Sequence, residues 1–190
     1  MTNAQLFLNN SWADKSETMS GSGSTLANTK AVREHLPLLL EKYNIESMFD
    51  APCGDGNWIQ HVDLTCAYTG GDLVQKFADA NPLQSVVFDI TLDTFPAVDL
   101  WLCRACLYHL SNVEIQLAID NFMNSGIKYA LITSHSGKSG PDISTGRFRR
   151  LNLEQHNYFG LDAPIDQIPD VLFNNMQENL LLFVNPRVTK

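Results

Sequence analysis

Asp50, Gly54, Asp55 and Gly56 fall together between an apolar run at 45–49 and the segment Trp58-Ile59-Gln60-His61-Val62. Two further carboxylates, Asp72 and Asp89, close later apolar runs. Two glycines bracketing one residue, placed between a strand and a helix, let the backbone come close to a ligand. Asp72 lies 22 residues beyond Asp50. An α/β nucleotide site carries, roughly 20 residues on, the acid that accepts from ribose hydroxyls. Asp89 can accept from an exocyclic amine such as that of adenine, with Ile90 packed on the ring. The series is what a parallel α/β domain needs to hold a nucleoside-containing cofactor.

The spelling of the turn narrows the cofactor. A nicotinamide site shows three spaced glycines with pyrophosphate on the helix N-terminus; here Trp58 or Ile59 stands where the third would fall. A P-loop needs Lys and Ser or Thr after its glycines, and Asn57-Trp58 excludes that. Asp50 and Asp55 place negative charge at the turn. That charge suits an amino group and a sulfonium cation better than a pyrophosphate.

Catalytic candidates must follow strand ends, because open α/β sheets bind ligands there. Arg104, Tyr108 and His109 follow the fourth strand and His135 the fifth. His109 is the first choice as base, since a neutral imidazole suits proton transfer near neutrality. Arg104 can hold a cofactor carboxylate or an anionic substrate with its planar fork. Cys103-Arg104-Ala105-Cys106 has C-x-x-C spacing but no second ligand pair, so its thiols read as structural and no metal is expected.

The elements that must position these groups alternate. The patterns predict strands over 45–50, 67–72, 85–89, 98–103 and 129–133. Their continuous apolar character fits strands buried on both faces. Before them, Val32, Leu36, Leu39, Leu40 and Tyr43 recur on one helical face. Asn28 or Thr29 can cap that helix, Pro37 predicts a kink or break in it, and Asn44 closes it. Residues 58–62 read as the first turns of a helix, and a short helix carries Val74, Phe77 and Ala78 up to Asn81-Pro82. Ser111 and Glu114 form a capping box for a helix bearing Ile115, Ala118, Ile119 and Phe122, ended by Gly126. The irregular stretch 135–164 is long enough to be functional or mobile. Residues 171–173 and 180–184 read as a closing hairpin joined by 174–179.

The chain has 190 residues, enough for one domain of comfortable size, and its charges sum to 13 − 21 = −8. We divide it into a Ser/Gly-rich N-terminal arm, 1–29, and a single domain, 30–190. An acidic surface disfavours nucleic acid as a partner; the only basic cluster is Arg147, Arg149 and Arg150, with Lys138 nearby. No apolar run of roughly 18 residues predicts a membrane span. Without a secretory signal, and with four cysteines in or beside buried strands, a cytoplasmic protein with reduced thiols is expected. The oligomeric state is not legible.

Asp50-Ala51-Pro52-Cys53-Gly54-Asp55-Gly56 resembles the first motif of the class I S-adenosylmethionine-dependent methyltransferases, with Pro52 replacing the first glycine. Gly70-Gly71-Asp72 resembles the second motif, Phe88-Asp89-Ile90 the third, and the segment 99–111 the fourth, which lies along the methionine part and the methyl group. The likeness extends, over about residues 12–184, to a group of small bacterial and phage methyltransferase-like proteins. These share a Ser-Gly-x-Gly-Ser arm, an Asp-Ala-Pro-Cys-Gly-Asp turn, a Cys-Arg-x-Cys-Leu-x-His-Leu segment and a Leu-Asn-Leu segment, here Leu151-Asn152-Leu153. The resemblance implies a Rossmann-like, seven-stranded, mostly parallel α/β sheet with helices on both faces and a C-terminal antiparallel hairpin. The implied cofactor is S-adenosyl-L-methionine. It would be held by Asp50, Pro52, Gly54, Gly56, Trp58, Asp72, Leu73, Asp89, Ile90 and Arg104. Trp12, Ser20, Gly21 and Ser24 would form a lid, with Tyr108, Arg147 and Asn152 on the side of a small-molecule acceptor. The implied reaction is methyl transfer to an oxygen or nitrogen of a small polar acceptor. Two alternatives stay open at this point: an enzyme that cleaves S-adenosylmethionine, as lyase or hydrolase, and a non-catalytic module that binds it. DNA adenine methylation is disfavoured, because Cys103-Arg104-Ala105-Cys106 stands where an Asp/Asn-Pro-Pro-aromatic motif is usual.

Overall fold

The computed structural model describes residues 3–8, 17–155, 158–173 and 176–188. The elements run α1 (Asn3–Leu8), α2 (Lys30–Lys42), β1 (Ser47–Asp50), β2 (Ala67–Asp72), α3 (Gln75–Ala80), β3 (Ser85–Val87), β4 (Leu100–Cys103), α4 (Asn112–Asn124), β5 (Tyr129–His135), β6 (Asp166–Phe173) and β7 (Met176–Val184). One sheet of seven strands has the order β3-β2-β1-β4-β5-β7-β6. β1 to β5 are parallel, while β7 runs antiparallel to both β5 and β6. Six strands therefore share a direction and β7 opposes them.

Alternate residues of the central strands enter two separate cores. On one face Met48, Leu100, Leu102, Leu131 and Leu182 pack with Val32, Leu36, Leu39 and Leu40 of α2. On the other, Phe49, Trp101, Ile132 and Phe183 pack with Ile115, Ala118, Ile119 and Phe122 of α4. Every residue of β4 and of β5 is buried, as their unbroken apolar runs required. Helices thus cover both faces, and the ligand-binding rim, at the carboxyl ends of the parallel strands, stays accessible.

Several expectations change in detail. α2 passes through Pro37 without interruption; its buried stripe anchors both halves to the sheet, which offsets the one lost hydrogen bond. Thr29 occupies the N-cap but its side chain does not cap. Its hydroxyl donates instead to the Thr25 carbonyl at 2.8 Å. The helix expected from 58 shrinks to a single 3-10 turn, Ile59–His61. α4 carries its complete capping box. The closing hairpin is longer than its apolar residues suggest. Glu178 and Asn179 lie inside β7, opposite His135 and Ser134 of β5, so the sheet extends into the rim with polar residues. β6 is an edge strand, which is where Pro169 is tolerated.

Candidate functional site

β1 delivers Asp50 to the rim, and the chain turns sharply through Gly54 and Gly56, both at positive φ (58° and 69°). This conformation costs glycine little and other residues more. The turn is tied from three sides. The Ala51 N–H donates to the Leu102 carbonyl, and the Cys53 N–H to the Gly71 carbonyl, each at 2.9 Å. The Gly54 N–H donates to the Asp72 carboxylate at 2.9 Å. The other oxygen of Asp72 accepts from the Val74 N–H at 2.8 Å. A cavity of about 450 Å³ opens over this rim, within the usual size of small-ligand sites.

Most of the residues singled out in the sequence meet in this cavity. Asp50, Pro52, Gly54 and Trp58 come from the turn and its continuation. Asp72 closes β2 with Leu73 just after it, and Asp89 and Ile90 lie beyond β3. Arg104, Tyr108 and His109 follow β4, and Ser20, Gly21 and Ser24 come from the arm.

Four do not. Gly56 faces away, and a Cβ there would run into the Asn81 side chain. Arg147 is exposed and away from the cavity, although its carbonyl accepts from His109 Nδ1 at 2.8 Å. Asn152 is buried and staples its own loop, donating to the Gly137 carbonyl and accepting from the Glu154 N–H, each at 2.8 Å. Asp55, expected to put charge beside the cofactor, turns outward. Trp12 lies outside the described residues.

Asp55 has a different task. Its carboxylate accepts from the Thr18 hydroxyl at 2.9 Å, the Met19 N–H at 2.6 Å and the Ser20 hydroxyl at 2.9 Å. Its own N–H donates to Ser20 Oγ at 2.8 Å. Asn57 adds a bond to the Ser24 carbonyl and Arg104 one to the Gly23 carbonyl, both 2.9 Å. The Ser/Gly-rich arm, flexible by composition, is therefore docked on the glycine turn and walls the cavity. Ser20 lies so close to Gly54 that a Cβ there would meet its hydroxyl.

The cavity is acidic. Burial raises the Asp50 carboxyl to about 7, against the opposing hydrogen bond from the Tyr68 hydroxyl. Burial raises Asp72 to about 6, against the two backbone N–H groups it accepts from. Arg104 supplies the principal positive charge. Its Nε and Nη2 both reach Asp170 Oδ1, at 3.2 and 2.8 Å, and its guanidinium lies 5.3 Å from the Trp58 ring centre. Its Nη1 has no acceptor among the described residues, and can serve a ligand oxyanion. His109 is held by burial down to about 4, with the Arg147 carbonyl opposing, so near neutrality it is an uncharged, weak base. Burial also pushes the Cys53 and Cys103 thiols up, which fits their reading as structural thiols.

Two site residues escaped the sequence reading. Glu114 was legible as a helix cap, yet it also lines the cavity and accepts from Asn3 Nδ2 at 2.7 Å and from the Thr145 hydroxyl. Glu178 lines the cavity from β7 and had no local motif to mark it.

No family model matches the sequence, and no curated protein matches it. Solved structures do match the fold. Magnesium protoporphyrin IX methyltransferase (ChlM) from Synechocystis PCC 6803, with bound SAM, superposes with a TM-score of 0.66 at 12% identity, over 97% of each chain. The N-methyltransferase NodS from Bradyrhizobium japonicum WM9, in complex with S-adenosyl-L-homocysteine, gives 0.62 at 16% identity over 96% of each chain. The Burkholderia thailandensis 1,6-didemethyltoxoflavin-N1-methyltransferase gives 0.62 at 14%, over 83% of this chain and 79% of that one. The fold is that of the S-adenosylmethionine-dependent methyltransferases.

Proposed function

We propose that this protein transfers a methyl group from S-adenosyl-L-methionine to an oxygen or nitrogen of a small polar acceptor. The single observation that carries this reading is the convergence, in one cavity, of the β1 glycine turn with Asp72 at the end of β2 and Asp89 beyond β3. At low sequence identity the shared fold alone would not assign an activity.

The residues fit the cofactor. Asp72, fixed by two backbone N–H groups, keeps lone pairs for the ribose hydroxyls. Leu73 and Ile90 would flank the adenine and Asp89 would accept from its amino group. Asp50 would take the amino group of the methionine part and Arg104 Nη1 its carboxylate, beside Trp58 and Pro52. The cofactor supplies an electrophilic methyl on a sulfonium. The protein's work is then to place an acceptor about 3–3.5 Å from that carbon and in line, and to keep water out with the docked arm. Tyr108 and His109 stand on the acceptor side.

Calorimetry with S-adenosylhomocysteine tests the reading, with saturable one-to-one binding expected. Incubation with S-adenosylmethionine alone should leave it intact over hours. Rapid breakdown without acceptor would assign a cleaving enzyme, and no binding of either molecule would remove both readings.

A further inference from the structure

Glu178 is unusual among the cavity's carboxylates. Its side chain is only 9% exposed, it lines the cavity, and no described donor hydrogen-bonds to it. The nearest is His135 Nε2, 3.6 Å from Oε1 and itself buried without a hydrogen-bond partner. Arg104 compensates it only in part, because that guanidinium is already paired with Asp170. Once ionised, Glu178 leaves the Arg104–Asp170–Glu178 group one negative charge in excess in a buried place. A buried polar group without a partner is costly, so a ligand that supplies the partner gains by that amount.

The surroundings say what kind of ligand. The Tyr108 ring packs against His135 at 4.8 Å between centres, against His109 at 4.4 Å and against Phe148 at 5.5 Å. Tyr108, His109 and Phe148 line the cavity, and Phe148 is 48% exposed, at its open side. Aromatic rings beside an uncompensated carboxylate favour a cation carried on an apolar body. An anion would meet Glu178 and Glu114, with Arg104 the only Lys or Arg side chain lining the cavity among the described residues, and its Nη1 serves the cofactor carboxylate on the proposed reading.

Resting on the methyl-transfer reading, we propose that the acceptor is a small aromatic amine-bearing molecule, its ammonium seated on the Glu178 carboxylate beside Tyr108 and Phe148, and that this carboxylate takes the proton the nitrogen must lose before it can accept a methyl group. The groups facing Glu178 are Arg104 after β4, Tyr108, His135 of β5 and Asp170 of β6. Burial and Asp170 raise Glu178 to about 7, against Arg104. Burial holds His135 below its ordinary value. Amine affinity therefore increases from pH 6 to pH 8 as Glu178 ionises beside a neutral imidazole.

The test is calorimetry with phenethylamine and its uncharged isostere 2-phenylethanol, each with and without saturating S-adenosylhomocysteine, on the wild type and Glu178→Gln. The amine should bind at least tenfold tighter than the alcohol at pH 8 and lose most of that preference at pH 6. Glu178→Gln should abolish the preference and its pH dependence, leaving the affinities for S-adenosylhomocysteine and S-adenosylmethionine unchanged. Equal binding of amine and alcohol, or binding of neither, would overturn the proposal. So would a Gln variant that weakens S-adenosylmethionine and spares S-adenosylhomocysteine, because the carboxylate would then serve the sulfonium. If the wild type binds neither cofactor form, the methyl-transfer reading fails by itself, and the amine–alcohol comparison without cofactor still decides the role of Glu178. If Glu178→Gln does not fold, the wild-type preference and its pH dependence decide.

Discussion

The two halves of the cavity are built differently. On the β1–β2–β3 side, each contributing acid sits at or just beyond the end of the strand that places it: Asp50 closes β1, Asp72 closes β2 and Asp89 lies two residues past β3. Its two buried carboxylates are braced by hydrogen bonds, Asp50 from the Tyr68 hydroxyl at 3.0 Å and Asp72 from two backbone N–H groups. On the β4–β5–β7 side, the groups come from distant parts of the chain, and Glu178 has no hydrogen-bond donor among the described residues. A braced carboxylate is ready for a fixed ligand that recurs in one geometry. An unbraced one leaves its lone pairs to whatever the cavity admits. On the proposed reading the first side serves the cofactor and the second, Arg104 apart, serves the acceptor.

The largest expected effect comes from removing the braced acid. Asp72→Ala loses hydrogen bonds to a charged group, each worth about 1.5–3 kcal/mol, and frees the glycine turn as well. The dissociation constant for S-adenosylhomocysteine should rise on the order of a hundredfold. An unchanged constant by calorimetry would break the assignment of that side.

The arm comes next. Asp55→Ala removes the carboxylate that receives Thr18, Met19 and Ser20 without touching the cavity. Cofactor affinity should fall about tenfold, and limited proteolysis should cut within residues 17–24, where the wild type resists. An arm equally protected in the variant would show that Asp55 does not hold it.

The smaller effects concern pH. Asp50 and Asp72 titrate near 7 and 6 in the free protein. A ligand that favours their ionised forms must expel their protons, so S-adenosylmethionine affinity should increase from pH 5.5 to 8. Calorimetry in two buffers of different ionisation enthalpy should detect proton release near pH 6. For stability the sign is opposite. A carboxyl raised by folding holds its proton more tightly in the folded state, so its contribution is fully present below about pH 4 and is lost as pH rises through about 7. Asp50→Asn should therefore raise the melting temperature of the ligand-free protein at pH 8 by a few degrees, at roughly 2–4 °C per kcal/mol for this size, while weakening cofactor binding.

The same contrast explains what the sequence allowed. Strand–turn–acid order is local, so Asp72, Leu73, Asp89 and Ile90 were legible as residues that meet in one cavity. β2 and the capping box of α4 were also legible, since periodicity and caps are short-range. Glu178 was not, because it reaches the rim only through the pairing of β7 with β5, opposite His135, a contact 43 residues apart in the chain. Its neighbours Gln177 and Asn179 made that stretch read as a connection rather than a strand. Asp55 was misread because charge type was visible but direction was not; the side chain that a turn sends outward depends on φ at Gly54 and Gly56. Asn152 and Arg147 failed for a related reason, since a long irregular loop carries no period from which to infer which residues face a cavity.

The most direct measurement is a crystal structure of the protein grown with S-adenosylhomocysteine. The account expects the ribose hydroxyls on the Asp72 carboxylate, adenine between Leu73 and Ile90, and the sulfur directed toward Tyr108 under a docked arm. Density for the ligand elsewhere, or a ribose that makes no contact with Asp72, would contradict it.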